Sequence, residues 1–257
     1  MNPEIFAAAS RMEWLKLRTL RSTWWMLGAY AAAMIGLGIV ALSVLTPGIM
    51  TPSDRAAFDP TNQGFTGAII GEIIVGIFGV LAFTGEYSSG MIRATLGAVN
   101  RREGSFGAKV FVVGIAALIC SEVLAFATFL AGEAVLRSSL PHASLGQPGV
   151  ARAVLLGGVY LFLVTLIGLG LGALLRHGAA AIGVLLGLLF ALPLLVSPLP
   201  HHASILKFLP QQVASNSLVA VKPVPGALSP WTGLLLMCLY TAVVLAAGYW
   251  AFTRRDA

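Results

Sequence analysis

Charge is scarce in this chain. Asp, Glu, Lys and Arg make up 10% of its 257 residues, while 58% are hydrophobic. With a mean hydropathy of +0.89, a soluble domain of this length could not hide so much apolar surface, so the bilayer is expected to be its solvent. Cysteine is nearly absent, and Cys120 and Cys238 both fall in apolar runs, which favours small packing residues over a disulfide. The few lysines are followed by Leu17, Val110, Phe208 and Pro223, never by Ser or Thr. A nucleotide-binding P-loop needs that hydroxyl beside the ammonium to reach phosphate and magnesium, so no such site is expected in this chain. His142, His177, His201 and His202 lie outside the apolar runs and none begins a zinc-protease HExxH. Ser43, Ser121 and Ser197 have no histidine at membrane depth to activate them. These absences argue against an enzyme. The adjacent His201–His202 reads as solvated rather than metal-binding. The net charge of +6 sits beside the apolar runs rather than on a globular face, which favours a membrane surface over nucleic acid.

Six stretches reach the roughly 20 apolar residues a spanning helix needs: 24–45, 65–84, 109–136, 153–175, 179–199 and 231–252. Orientation follows from the cations. Of the sixteen Lys and Arg, only Arg55, Arg137, Arg152, Lys207 and Lys222 fall on one side of that topology. The positive-inside rule then places both termini, and the segment between the second and third spans, in the cytoplasm of a cell membrane.

That segment, Gly85–Lys109, is the most informative part of the chain. Ile92, Leu96 and Val99 recur at i, i+4 and i+7, one apolar stripe on a helix of two to three turns. Ser88 or Ser89 is expected to cap its start and Asn100 to end it. Residues 4–21 read as an interfacial helix, with Ile5, Ala8, Ala9, Met12 and Leu15 on one face and Arg11, Trp14, Arg18 and Arg21 on another. The proline-rich outer segment 200–230 reads as short helices packed on the outer mouth. Inside the membrane, Glu72 and Glu122 are expected at similar height, close enough to share a cavity, with Glu133 three turns beyond Glu122 and Phe126 and Phe129 between them. These five residues make either a translocation path for a cationic amphipathic cargo or glue between helices. The pairs Gly67/Gly71, Gly168/Gly172 and Gly183/Gly187 permit close helix approach.

Three places carry a family resemblance. Glu13 to Trp25 (EWLKLRTLRSTWW) is similar to an interfacial connecting helix entering a first span. Glu86, Gly90, Met91–Ile92–Arg93, Leu96, Arg101 and Lys109 form a pattern of Glu, three residues, Gly, then a basic amphipathic helix with closing Arg and Lys. The segment Leu199 to Pro210 is bounded by prolines ahead of the last span. Together they resemble the six-span permeases of type-2 ABC exporters, especially short bacterial ones encoded beside a separate ATPase. Many relatives have Pro where Asn100 stands, and Asn can also terminate a helix.

The resemblance implies one all-α integral membrane domain over 1–257. It would have six transmembrane helices, an N-terminal interfacial helix, a cytoplasmic coupling helix between spans two and three, and short outer helices between spans five and six. It further implies a partner ABC ATPase carrying the Mg-ATP, which grips Glu86, Tyr87, Gly90, Ile92, Arg93, Leu96, Val99 and Arg101. A second permease copy, identical or homologous, completes the pathway for a drug, antibiotic, peptide or lipid-like cargo. The competing readings are an ion-coupled secondary transporter with Glu72 and Glu122 as proton sites, and a membrane scaffold or sensor without transport.

Overall fold

A computed structural model describes residues 3–45, 51, 58–91, 102–198, 205–220 and 226–254. Among these the chain is helical, without strands. Helix α1 (Pro3–Thr19) precedes the first long apolar helix, α2 (Arg21–Ser43). The others follow as α3 (Pro60–Ser88), α4 (Arg102–Val135), α5 (Val150–Leu175), α6 (Gly178–Val196), short α7 (Pro210–Leu218) and α8 (Pro230–Arg254). Apart from α1 and α7, each is long and apolar enough to cross a membrane. Several begin a turn before the apolar run because polar residues can start a helix outside the bilayer. Asp59 caps α3, its Oδ1 accepting from Asn62 N at 3.1 Å with Pro60 in the first turn. A polar first turn, Arg102 to Ser105, likewise extends α4.

Helix α5 is the axis of the bundle. Within the protein, 83% of its apolar window is buried, against 22% for α2, α6 and α8. It packs against α3, α8, α4 and α6. Glycine makes the closest crossing: Gly79 of α3 lies on the backbone of Thr165, and Gly168 of α5 lies on that of Gly76, leaving no room for a Cβ on either side. The Gly168/Gly172 pair thus packs spans within the chain, and Gly67/Gly71 does so against Tyr30 and Met34 of α2. Gly183 and Gly187 meet nothing within 4 Å and leave an open stripe on α6. Both α2 and α6 widen into a π turn, at Ala32–Gly36 and Gly187–Ala191.

At the end of the bundle away from the termini, α7 buries Val213, Ala214 and Leu218 against α5 and α8. Asp59 Oδ2 accepts from Ala220 N at 2.7 Å, and Arg152 Nη2 donates to Val219 O at 2.8 Å, so α3 and α5 both hold this cap. Leu199 to Ala203, including His201 and His202, lie outside the described residues.

Candidate functional site

At the termini end, four charged side chains from three helices close into one buried cluster. Glu13 and Lys16 stand one turn apart on α1, Glu86 ends α3, and Lys109 lies near the start of α4. Lys109 Nζ donates to Glu13 Oε2 and to Glu86 Oε1, both at 2.6 Å. Lys16 Nζ donates to Glu13 Oε1 at 2.8 Å and to Glu86 Oε1 at 2.6 Å. Glu13, Glu86 and Lys109 are 3%, 6% and 4% exposed, so the cluster is sheltered from water. Buried charges persist where partners and hydrogen bonds offset lost hydration, and two ammoniums between two carboxylates meet that condition. Burial opposes the charge on Lys16, but the hydrogen bonds and charges of Glu13 and Glu86 outweigh it and hold its pKa above the ordinary lysine value.

The cluster fixes the packed face of α1. Of the apolar face expected on this interfacial helix, Ile5, Ala8 and Leu15 are exposed, while Ala9 is buried and Met12 partly so. The face against α4 runs instead through Phe6, Ala9, Met12 and Glu13, with Phe6 5.7 Å from Phe111 and Ala9 on Ala108. Apolar spacing alone could not find it, because Glu13 belongs to the face.

Aromatic packing reinforces the same end. Tyr87 stacks on Phe83 at 5.9 Å, and the Arg176 guanidinium lies 5.3 Å from the centre of the Tyr87 ring. Arg176 ends α5 in the left-handed region (φ 57) and donates from Nη2 to Ala251 O at 3.2 Å, joining α3, α5 and α8. Phe83 also meets Phe252 edge-on at 5.3 Å. Gly90 (φ 70) closes α3, with Gly90 N donating to Tyr87 O at 3.3 Å. The hydroxyls of Ser88 and Ser89 donate to Gly85 O at 3.1 and 2.7 Å and so finish α3, while the helix they were expected to cap lies outside the described residues. Ile92, Arg93, Leu96, Val99, Asn100 and Arg101 lie outside the described residues.

The carboxyls between the ends have different surroundings. Glu72 is 2% exposed, and its Oε2 accepts from Tyr160 OH at 2.6 Å. The carboxyl of Glu122 lies against Gly158, where a Cβ would stand 2.6 Å from its carbon, and Oε2 has no hydrogen-bond partner among the described residues. Two residues turn a helix by about 200°, so Gly158 and Tyr160 face opposite sides of α5. Glu72 and Glu122 therefore share a level but not a cavity, because α5 stands between them. Phe126 is half-buried against the core and Phe129 lies within it. Glu133 holds the turn after α4: its Oε2 lies 3.0 Å from His142 Nδ1 and accepts from Ala143 N at 3.2 Å. Among the described residues, no three His, Cys, Asp or Glu gather as metal ligands.

Sequence reasoning missed Glu13, Lys16, Tyr160 and Arg176 as partners. One signal was present: two acids and two bases cluster at adjoining helix ends in a chain with little charge elsewhere.

Comparison with known proteins finds no match among curated sequences. The family model described as "ABC-2 family transporter protein" matches residues 10–257. With six helices able to cross a membrane and a family match over almost its whole length, this multi-pass membrane chain belongs to the ABC-2 transporter family and is a permease component rather than an enzyme.

Proposed function

We propose that this chain is the membrane-spanning half of an ATP-driven exporter, powered by a separate ABC ATPase that docks on the segment Glu86–Val99. The observation that carries this reading is the charged cluster. It fastens the start of that segment, through Glu86, and the first turns of α4 beyond it, through Lys109, to Glu13 and Lys16 of α1. A force applied to the segment therefore reaches three helices together instead of being lost in a loose loop. Glu86 acts as an anchor facing inward, while the apolar stripe Ile92, Leu96 and Val99 meets the ATPase. Burial there supplies about 1.5–3 kcal/mol per well-covered side chain, and Arg93 adds charge specificity. Tyr87, Gly90 and Arg101 set the geometry of the segment's ends.

The positive-inside rule puts this end and both termini in the cytoplasm of a bacterial cell membrane. Two permeases and two ATPases form the working unit, with Mg-ATP held by the partner. ATP-driven closure of the ATPases rocks the spans and gives alternating access. Glu122 faces the path for an amphipathic drug, antibiotic, peptide or lipid-like cargo, and Glu72 with Tyr160 holds α3 to α5.

The test is efflux of cationic amphipathic dyes from cells carrying the permease with an active or a catalytically dead partner ATPase. Loss of efflux with the dead partner supports this reading. Efflux that instead follows the proton gradient makes the chain a secondary transporter, and no efflux with either makes it a scaffold.

A further inference from the structure

The elbow between α1 and α2 encloses a groove of about 320 Å³ that the transport reading leaves unused. Leu20 adopts an extended conformation (φ −73, ψ 119) and turns the chain from α1 into α2, opening a space against α3 and α4. Leu27, Ile74, Phe78 and Ala117 are among its apolar walls, and among the described residues no acid lines it. Trp14 and Trp24, both more than half exposed, flank its mouth. Trp24 Nε1 donates to Arg18 O at 3.0 Å and so fastens the elbow.

Charge identifies the occupant. Arg18 is the single cation lining the groove, is exposed, and forms no ion pair among the described residues. The neighbouring Lys16 and Lys109 are already balanced by Glu13 and Glu86. An apolar slot with one uncompensated guanidinium at its mouth, flanked by interfacial tryptophans, fits a molecule with a hydrocarbon tail and an anionic head. In a membrane protein that chemistry is displayed by the surrounding leaflet.

We infer that the groove is a site for one anionic phospholipid, with an acyl chain along α2 between α3 and α4 and the phosphate on Arg18. The stretch of α2 from Thr23 to Tyr30 offers about 10 Å of wall at 1.5 Å per residue, enough for the first part of a chain. A bound lipid would wedge the elbow and hold α1 in its pose, so the site is independent of what the transporter carries.

The test uses the full-length permease equilibrated with equal phosphatidylglycerol and phosphatidylcholine, followed by native mass spectrometry. The wild type is expected to retain one phosphatidylglycerol in preference to phosphatidylcholine. Arg18→Gln should lower that preference about fivefold, the effect of one basic residue at an anionic surface, while Arg11→Gln, on the same helix but outside the groove, should leave it unchanged. Ala117→Phe should reduce retention of both lipids by filling the slot; Ala116→Phe, at a less buried wall position, serves if the first variant does not fold. Equal retention of the two lipids, equal loss in both arginine variants, or no retained lipid would overturn the assignment.

Discussion

The carboxylates of this protein sit in two contrasting regions. At the termini end, Glu13 and Glu86 share two ammoniums across three helices with contacts of 2.6–2.8 Å. Halfway along the bundle, Glu72 has one phenolic partner, and Glu122 Oε2 has none among the described residues. A buried carboxylate shared by two ammoniums locks helices together, whereas a carboxyl without a cationic partner keeps more freedom to meet water or a passing molecule. In the proposed exporter the first region would transmit force, and the second would offer Glu122 to cargo.

The largest test breaks the paired region. Lys109→Met leaves Glu13 and Glu86 sharing a single ammonium, and should destabilise the detergent-solubilised protein by about 3–5 kcal/mol, the usual cost of stranding a buried charge. Thermal or denaturant unfolding followed by tryptophan fluorescence reads the change. Exchanging the partners, Glu86→Lys with Lys109→Glu, should recover part of the loss; no recovery would mean packing rather than pairing dominates.

Tyr160→Phe probes the middle region at smaller scale. It leaves the Glu72 carboxyl with no donor among the described residues, an expected cost of about 1–3 kcal/mol, with dye efflux falling in step with the amount of folded protein. Glu122→Gln should do the reverse. Stability should shift by less than about 1 kcal/mol, since no hydrogen bond to Oε2 is lost, while efflux rate or dye preference changes. Unchanged transport and unchanged preference would remove Glu122 from the path.

The smallest effect concerns pH. Because the pKa of Lys16 is raised in the folded protein, its contribution to stability is complete below the unfolded lysine value of about 10.4 and fades as pH climbs through the raised value. The melting temperature should therefore lose this contribution only in strongly alkaline solution, and Lys16→Met should lack that component of the alkaline decline. A Lys16 contribution that disappears near neutral pH would contradict the pairing.

Much of this architecture was legible in the sequence because a bilayer imposes long apolar runs. Each of the six apolar runs overlaps a helix long and apolar enough to cross a membrane, and some helices begin earlier, at polar first turns such as Pro60–Gly64 and Arg102–Ser105. Glu72 and Glu122 were recognisable from the cost of a carboxyl among apolar neighbours, and their common level followed from helix rise. Their separation by α5 was not legible, because it depends on which face of α5 carries Gly158 and which carries Tyr160. Nor was the packed face of α1. Its periodicity is masked by Glu13 and Lys16, polar residues buried only because Glu86 and Lys109 arrive from 70 or more positions along the chain to meet them. The role of Tyr87 beneath Arg176 was hidden for the same reason.

The central claim is that the segment between α3 and α4 receives the ATPase, and co-purification tests it most directly. A tagged wild-type permease should carry the ATPase through membrane extraction and affinity capture. Leu96→Asp, which places a charge in the apolar stripe, should be inserted at normal levels and lose at least nine-tenths of the bound partner, by about 1.5–3 kcal/mol of forfeited burial. ATPase recovered with Leu96→Asp in wild-type amount would contradict the account.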